Sequence, residues 1–469
     1  MTINPFREGA PRMSLSVINP YDQTVYRELA LETIAGLEEK IRAARAAAIS
    51  WREVPLAERV HVVRSALDYF RSHQDRIAAE ITAQMGKPIR EAHNEFGGFF
   101  ERAAHMLSIA EDTLAPEELP PKDHFHRRIE RAPLGVVLNI AAWNYPLLIA
   151  VNVVVPALVA GNSVLLKHSA RTPLCGTHFQ AAFNHRPGLL THLLLSHAQT
   201  LDVIRDPRID HVVFTGSVSG GRRIHQAAAG RFIDLGLELG GKDPAYVAED
   251  ADLAFSVPNI VDGALYNAGQ SCCAVERVYV HQNNYASFLE QAAEAMTHFK
   301  PGDPLDPATT LGPLADRAAL DVLDRQVHEA LQRGARLICG GRRLEGSPGN
   351  FYLPTLLADV DSRAEVMQEE SFGPLLPVQA VADDAEALGQ MNNSRYGLTA
   401  SVWTRSRTRA EWFAARLEAG TVYQNRCDYL DPGLAWTGVK DSGRGVSLSR
   451  YGYHGLTRPK SIHFRELPE

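Results

Sequence analysis

Residues 135–167 read GVVLNIAAWNYPLLIAVNVVVPALVAGNSVLLK, and they alternate two kinds of apolar segment. Residues 135–140 and 163–167 have the short, continuous apolar character of buried strands, whereas residues 146–160 begin with proline and have the length of a helix. Two buried strands joined by a helix are expected to pair in parallel. This stretch therefore predicts an α/β fold with a parallel sheet.

The same alternation continues on the carboxyl side of this stretch. Predicted strands cover 211–214, 245–247 and 277–280, and predicted helices start near Gly221 and cover 253–267, 285–299 and 315–333. Because the second set follows Lys242 as a separate series, we expect two doubly wound, Rossmann-like α/β domains that meet at a cleft.

Different patterns occupy the two ends of the chain. Residues 31–106 show the three- and four-residue apolar spacing of successive amphipathic helices. Residues 124–130 and 460–464 alternate polar and apolar side chains, which predicts short exposed strands. Exposed strands of this kind often complete the sheet of a neighbour.

Composition excludes several classes of function. The 469 residues carry a formal net charge of -7, so bulk electrostatics favours neither nucleic-acid binding nor attachment to an anionic membrane. Residues 1–13 lack the apolar core of an export signal, and no run reaches the length of a membrane span. The five cysteines lack CxxC and Cys/His metal spacing, so we expect no metal site and a reducing, cytoplasmic location.

Two glycine-rich segments carry reactive side chains. Glu238 precedes Leu239-Gly240-Gly241-Lys242, and Cys272 ends Gly269-Gln270-Ser271-Cys272. A thiol among backbone donors ionises readily, and a glutamate between leucines has a raised pKa suited to activating water. The alternatives are a structural cysteine, and a glutamate paired with Lys242 or with a helix terminus. Cys273 is interpreted as lining the same pocket.

Three weaker signals lie between the predicted strands and helices. Asn144 can donate its amide to an oxyanion or cap the following helix. Gly216-Ser217 with Gly221 can bring backbone N–H groups to a phosphate, although the pattern is not GxGxxG. Lys167 ends a predicted strand and either reaches a ribose or phosphate or is a solvated lysine.

Together the motifs resemble the aldehyde dehydrogenase superfamily from about residue 15 to 464. Residues 143–146 resemble its oxyanion motif, 160–167 its ribose-binding strand, 214–217 its cofactor turn, 238–242 its general-base motif and 269–272 its nucleophile motif. In Glu369-Glu370-Ser371-Phe372-Gly373-Pro374, the resemblance places Glu370 on the nicotinamide ribose and Phe372 beside the nicotinamide. The implied cofactor-binding residues are Trp143, Lys167, Gly216, Ser217, Gly221, Glu370 and Phe372.

The resemblance implies a mechanism and an assembly. Cys272 attacks an aldehyde, Asn144 and the Cys272 N–H hold the oxyanion, hydride passes to NAD(P)+, and water activated by Glu238 releases the acid from a thioester. The implied domains are a cofactor domain (1–118 and 133–238), a catalytic domain (239–440) and oligomerisation strands (119–132 and 452–469). A homodimer or homotetramer is expected.

Substrate and cofactor predictions rest on fewer residues. The implied pocket residues are Tyr145, Leu148, Ser271, Cys273, Asn425, Asp428, Leu430 and Trp436, with Phe99, Phe100 and Arg102 contributed by the preceding helix. Arg102 or Arg426 could bind a distal carboxylate, and Leu166-Lys167-His168 is similar to some succinate-semialdehyde dehydrogenases. Ala170 stands where the family has a glutamate that would repel a 2′-phosphate, so we expect use of both NAD and NADP, with a slight preference for NAD.

Two other functions are compatible with parts of this pattern. A CoA-acylating relative would pass the acyl group to CoA, but such members usually lack the base that Glu238 provides. A catalytically idle structural or binding homologue would need none of Cys272, Glu238, Asn144, Lys167 and Glu370.

Overall fold

The computed structural model describes residues 14–467, which form four sheets and 16 α-helices. The strands are β1 (Ser14–Ile18), β2 (Val25–Ala30), β3 (Glu117–Glu118), β4 (Phe125–Pro133), β5 (Val136–Ala141), β6 (Ser163–His168), β7 (Leu190–His192), β8 (His211–Thr215), β9 (Leu235–Glu238), β10 (Asp243–Val247), β11 (Val275–His281), β12 (Arg336–Cys339), β13 (Thr355–Ala358), β14 (Leu375–Val381), β15 (Thr399–Trp403), β16 (Thr421–Gln424), β17 (Gly443–Arg444) and β18 (Thr457–Arg465).

The helices surround these sheets and include the predicted amphipathic series. They are α1 (Ile34–Trp51), α2 (Leu56–Ser72), α3 (Gln74–Met85), α4 (Ile89–Ser108), α5 (Ala110–Leu114), α6 (Pro146–Ala160), α7 (Pro173–Ala182), α8 (His197–Arg205), α9 (Val218–Ala228), α10 (Leu253–Leu265), α11 (Tyr285–Met296), α12 (Arg317–Gln332), α13 (Glu365–Gln368), α14 (Asp384–Asn392), α15 (Arg407–Ala414) and α16 (Ser449–Gly455). None of the helices within 14–467 combines the length and apolarity needed to cross a membrane.

Residues 135–167 form the middle of the first sheet. Its order is β17-β9-β8-β5-β6-β7, and β5 pairs in parallel with both β6 and β8. Helix α6 connects β5 to β6, starts with Pro146 and stops at Gly161, whose φ of 101° suits a helix end. Both strands are buried along their whole length, which explains their continuous apolar sequence.

The second sheet carries the carboxyl-side series of strands and helices. Its order is β12-β13-β14-β11-β10-β15-β16, with only β12 antiparallel to its neighbour among these pairs. The predicted α/β class with two doubly wound domains is therefore confirmed. The hairpin of β1 and β2 was not predicted.

A small antiparallel sheet of order β18-β4-β3 contains both predicted exposed strands. Ser461 in β18 pairs with Ile129 in β4, so the two segments form one ladder despite their separation in sequence. The domain division stays a prediction. Residues 1–13 and 468–469, which it included, lie outside the described residues.

Two predicted helix boundaries near the site are wrong. Helix α9 starts at Val218 rather than near Gly221, because the Ser217 side chain accepts a hydrogen bond from the Gly220 N–H and caps the helix. Helix α10 stops at Leu265 rather than 267, because Asn267 and Ala268 adopt left-handed conformations with φ of 53° and 55°. The chain then forms a 3-10 turn over Tyr266–Gly269.

Candidate active site

Cys272, Glu238 and Asn144 converge where two cavities adjoin. All three line a cavity of about 510 Å³ and also a neighbouring cavity of about 440 Å³. Glu238 ends β9 and Thr215 ends β8, so the carboxyl edge of the first sheet supplies one wall. The loop that precedes β11 supplies Cys272 from the second sheet. A group bound at Cys272 would thus be reached from both cavities.

The turn before Cys272 consists of three consecutive left-handed residues. Asn267, Ala268 and Gly269 have φ of 53°, 55° and 74°, and a Cβ on Gly269 would overlap the Gly373 carbonyl oxygen. Asn267 Nδ2 donates to the carbonyl oxygens of Asn144 (3.2 Å) and Gln270 (3.1 Å). These bonds tie the turn to the loop that carries Asn144, and they leave the Cys272 thiol partly exposed.

Glu238 is a half-buried carboxylate with two hydroxyl donors. Ser447 Oγ donates to Oε1 at 2.6 Å and Thr215 Oγ1 donates to Oε2 at 3.2 Å. Burial raises the pKa of Glu238, and the two hydrogen bonds offset part of that increase because they favour the charged form. Lys242 pairs with Glu276 at 2.6 Å, so it is not the ionic partner of Glu238.

Asn144 lies in the loop between β5 and α6 and is buried. Its Nδ2 donates to the Gln270 carbonyl oxygen at 3.2 Å. Tyr145, not Asn144, is the N-cap residue of α6, and it makes no side-chain capping bond. The helix-capping alternative for Asn144 therefore does not apply, and its amide points to the segment that ends at Cys272.

Most predicted cofactor residues line the 440 Å³ cavity. Trp143, Gly216, Ser217, Glu370 and Phe372 do so. The Phe372 ring meets the Trp143 ring edge-on, with centroids 5.6 Å apart. The remaining two predicted residues, Gly221 and Lys167, are not among the residues that line this cavity.

Gly221 and Lys167 have different surroundings. Gly221 lies inside α9, where a Cβ would lie 2.6 Å from Leu239 Cδ2, so the glycine allows close packing rather than contact with a phosphate. Lys167 lies in β6 at the same edge of the first sheet as Thr215. Burial lowers the pKa of Lys167 to about 8.

The cavity fits a dinucleotide by the chemistry of its groups. Burial raises the pKa of Glu370 to about 8, and the one hydrogen bond that its side chain accepts from the described residues comes from the Gly241 N–H at 3.3 Å. Its remaining lone pairs are free to accept from ribose hydroxyls. A Cβ on Gly240 would lie 2.6 Å from Glu370 Oε1, so glycine at 240 makes room for this carboxylate.

The predicted substrate residues lie around the 510 Å³ cavity. Its lining includes Tyr145, Leu148, Ser271, Cys273, Asn425, Asp428, Leu430 and Trp436. Phe99 and Phe100 are not part of the lining: Phe99 packs with Phe70 and Phe179 in the helical core, and Phe100 packs against Phe99. This part of the prediction is wrong.

Two pocket residues are committed to structural hydrogen bonds. The Asn425 side chain accepts from the Thr404 N–H and donates to the Thr404 carbonyl oxygen, both at 2.9 Å. Asp428 accepts from Ser271 Oγ at 2.7 Å and from Cys273 Sγ at 3.1 Å. Cys273 also lines the cavity, as the sequence suggested.

Arg102 and Arg426 lie in different settings at this cavity. Arg102 is only 7 % exposed, and its Nη1 donates to Asn152 Oδ1 at 3.3 Å. Its Nε has no hydrogen-bond partner among the described residues. Arg426 is exposed and lies over the Tyr429 ring, 3.5 Å from the centroid. Arg102 is thus the buried cation with unused donors.

Several residues at the site were missed by the sequence argument. They are Lys87, Glu91, Glu95, Asn152 and Ser447. Glu91, Glu95 and Arg102 share one buried face of α4. Charged residues at helical spacing on an apolar face were a readable signal. Ser447 had no such signal, because it approaches Glu238 from 209 positions away.

Comparisons with known proteins match nearly the whole chain to one family. The family model described as "Aldehyde dehydrogenase family" matches residues 6–462. The succinate-semialdehyde dehydrogenase [NADP(+)] of Deinococcus radiodurans is 35% identical over 469 residues, covering 98% of this chain and 97% of that protein. The succinate semialdehyde dehydrogenase [NAD(P)+] of Escherichia coli K12 is 35% identical and covers 91% of this chain and 92% of its own.

A solved structure adds the spatial comparison. Succinic semialdehyde dehydrogenase from Streptococcus pyogenes, in complex with NADP+, superposes with a TM-score of 0.92 at 31% identity. The match covers 96% of this chain and 100% of that chain. The likeness therefore extends over both α/β domains.

Proposed function

The chain belongs to the aldehyde dehydrogenase family, and we propose that it oxidises an aldehyde through Cys272, Asn144 and Glu238. The observation that carries this assignment is that all three side chains line both cavities at their junction. NAD+ or NADP+ is the cofactor of this class and supplies the hydride acceptor. Trp143, Phe372, Glu370 and the Gly216-Ser217 turn would hold it.

Each side chain has one task. The Cys272 thiolate attacks the aldehyde carbon and forms a thiohemiacetal, whose oxyanion accepts from Asn144 Nδ2 and the Cys272 N–H. Loss of hydride leaves a thioester on Cys272. Glu238 takes a proton from water, which attacks the thioester and releases the acid and the thiol. Both hydroxyl donors hold Glu238 at the junction of the cavities.

The assignment is tested by pre-steady-state NAD(P)H absorbance with an aldehyde panel. Wild type should turn over continuously. Cys272→Ala should form no NAD(P)H, whereas Glu238→Gln should give a burst of about one NAD(P)H per subunit and then stall as the thioester. Cofactor binding without turnover in wild type would favour an idle homologue. Turnover only with CoA would favour a CoA-acylating enzyme.

A short ω-carboxylate semialdehyde is the substrate class that the cavity favours. Arg102 lines the cavity as a buried cation whose Nη1 is bonded to Asn152, and the similar proteins named for succinate semialdehyde support the same class. The pocket also contains Asp262 and Asp428, but burial raises the pKa of both, which reduces repulsion of an anionic substrate. Glu95 is neutralised by Lys87.

Arg102→Met tests this substrate class. The ratio of kcat/KM for succinate semialdehyde to that for butanal should fall about 100-fold, because a charged hydrogen-bonded pair is lost. Arg426→Ala is the matched control and should leave the ratio within about threefold. If the ratio did not change in Arg102→Met, the proposal that the substrate carries a carboxylate would be wrong.

Cofactor preference and assembly are part of the same proposal. Ala170 places no carboxylate near the 2′-phosphate that NADP would carry, which supports use of NADP as well as NAD. The neighbouring Arg171 forms a salt bridge with Asp316. The slight preference for NAD stays a prediction, tested by kcat/KM with each cofactor. A homodimer or homotetramer in the cytoplasm is expected, and all five cysteines are free thiols within the described residues.

A further inference from the structure

Three residues with ionisable side chains are buried on one face of α4 and in the turn before it. None of them is among the residues proposed to take part in the reaction. Lys87, Glu91 and Glu95 are 1 %, 3 % and 4 % exposed. Burying charges is costly unless each is paired and hydrogen-bonded. Packing alone would be served better by apolar residues, so the partners of these charges indicate their use.

Glu95 holds the first turn of α6. Its Oε2 accepts from Lys87 Nζ at 2.6 Å, and its Oε1 accepts from the N–H groups of Leu147 (2.8 Å) and Leu148 (3.3 Å). Because the N-cap residue Tyr145 makes no side-chain bond, these N–H groups are satisfied by a carboxylate from another helix. The start of α6 is thereby fixed, and Asn144 lies immediately before its N-cap.

Lys87 also contacts the residue next to Asn144. Its ammonium lies 4.0 Å from the centroid of the Tyr145 ring. The Lys87–Glu95 pair therefore holds both Tyr145 and the first turn of α6. This geometry leaves the Asn144 loop little freedom to rotate.

Glu91 connects the same helix face to the nucleophile turn. Its Oε2 accepts from the Asn267 N–H at 2.9 Å, and the Asn267 side chain donates to the Asn144 carbonyl oxygen at 3.2 Å. Two carboxylates one helical turn apart thus bind the two loops that must face each other across the reacting carbonyl. Both loops are therefore held by the same helix, α4.

We infer that Glu95, paired with Lys87, is a positioning residue that sets the distance and angle of the Asn144 amide relative to Cys272. The inference rests on the oxyanion role proposed for Asn144. Glu95 acts through Asn144 and touches no reacting atom. Its loss should therefore reduce stabilisation of the oxyanion without removing the thiol.

A double-mutant cycle tests this positioning role. Asn144→Ala should lower kcat/KM by about 100- to 1,000-fold. Glu95→Gln should lower it by about 10- to 100-fold in wild type, because small displacements of an aligned group are costly. In the Asn144→Ala background, Glu95→Gln should have almost no further effect, since both variants remove the same contribution.

Two further measurements separate positioning from general stability. Iodoacetamide alkylation of Cys272 in the free enzyme should change by less than about threefold in Glu95→Gln. If that variant folds poorly, Lys87→Met/Glu95→Gln removes the unpaired buried cation and should restore the melting temperature without restoring kcat/KM.

Glu276→Gln is the matched control, because it breaks the equally buried Lys242–Glu276 pair, which holds the N–H groups of Ser371 and Phe372. Its effect should add to that of Asn144→Ala. If Glu95→Gln were also additive, or had no effect in wild type, the positioning role would be wrong. If Asn144→Ala left kcat/KM unchanged, the oxyanion assignment itself would fail.

Discussion

At the residue scale, two opposing influences act on Glu238. Burial favours the neutral carboxylic acid, whereas the hydroxyl donors Ser447 and Thr215 favour the carboxylate. A general base must be deprotonated before it can take a proton from water. The balance between burial and hydrogen bonding therefore decides the pH above which the thioester is hydrolysed.

We expect Ser447→Ala to move the acidic limb of the kcat–pH profile upward by about one pH unit, under conditions in which hydrolysis of the thioester limits turnover. Removing a donor to the charged form raises the pKa of Glu238 further, so activity is lost at low pH and kept at high pH. Ser449→Ala is the control, because it removes a nearby hydroxyl that accepts a hydrogen bond from the Tyr451 N–H. The acidic limb of the kcat–pH profile of this variant should not move. A limb unmoved by Ser447→Ala would contradict the assignment of Glu238 as the titrating base.

At the element scale, the turn after α10 decides how the nucleophile is presented. The connection between helix α10 and strand β11 contains three left-handed residues, and the last of them, Gly269, lies against the Gly373 backbone. A side chain at 269 would be strained in its φ and would also overlap that carbonyl. Since Gly373 follows the segment of Glu370 and Phe372, the same contact links the nucleophile turn to the cofactor side.

Gly269→Ala should therefore lower both stability and activity. We expect a loss of about 2 kcal/mol or more in the free energy of unfolding and slower alkylation of Cys272 by iodoacetamide. Thermal melting, alkylation kinetics and kcat/KM measure the three effects. Gly389→Ala in α14 is the control, because a Cβ there meets nothing within 4 Å and glycine is unfavourable inside a helix. Equal behaviour of the two variants would rule out a special role for the turn.

At the scale of the whole molecule, the site depends on chain segments that return from far away. After the second sheet is complete, β17 rejoins the first sheet and pairs Gly443 with Glu238. This return brings Ser447 to Glu238. The chain then continues through α16 into β18, which forms one edge of the three-stranded sheet. An edge strand of this kind can pair with a second copy of the chain.

Ser461→Pro tests the predicted assembly through this edge. Proline removes one backbone N–H from β18 and disturbs strand pairing. We expect sedimentation velocity to show a homodimer or homotetramer for wild type and for Ser461→Ala, but a smaller species for Ser461→Pro. A wild-type monomer, or an unchanged mass in the proline variant, would show that β18 does not maintain an oligomer.

The α/β class, the bounds of α6 and the three candidate reactive residues were readable from the sequence alone. Buried parallel strands require continuous apolar runs, and these runs are readable without any knowledge of the partners. The predicted Cys272, Glu238 and Asn144 all line both cavities. Their side-chain chemistry pointed to the reaction before their neighbours were known.

Only the tertiary structure decided which groups surround those three residues. It placed Ser447 on Glu238 and Glu95 on the start of α6, buried Arg102 beside Asn152, and assigned Gly221 to helix packing. Phe99, although on the same helix as Arg102, faces the aromatic core. Local periodicity shows that a residue is buried, but the partner it meets depends on how distant segments pack.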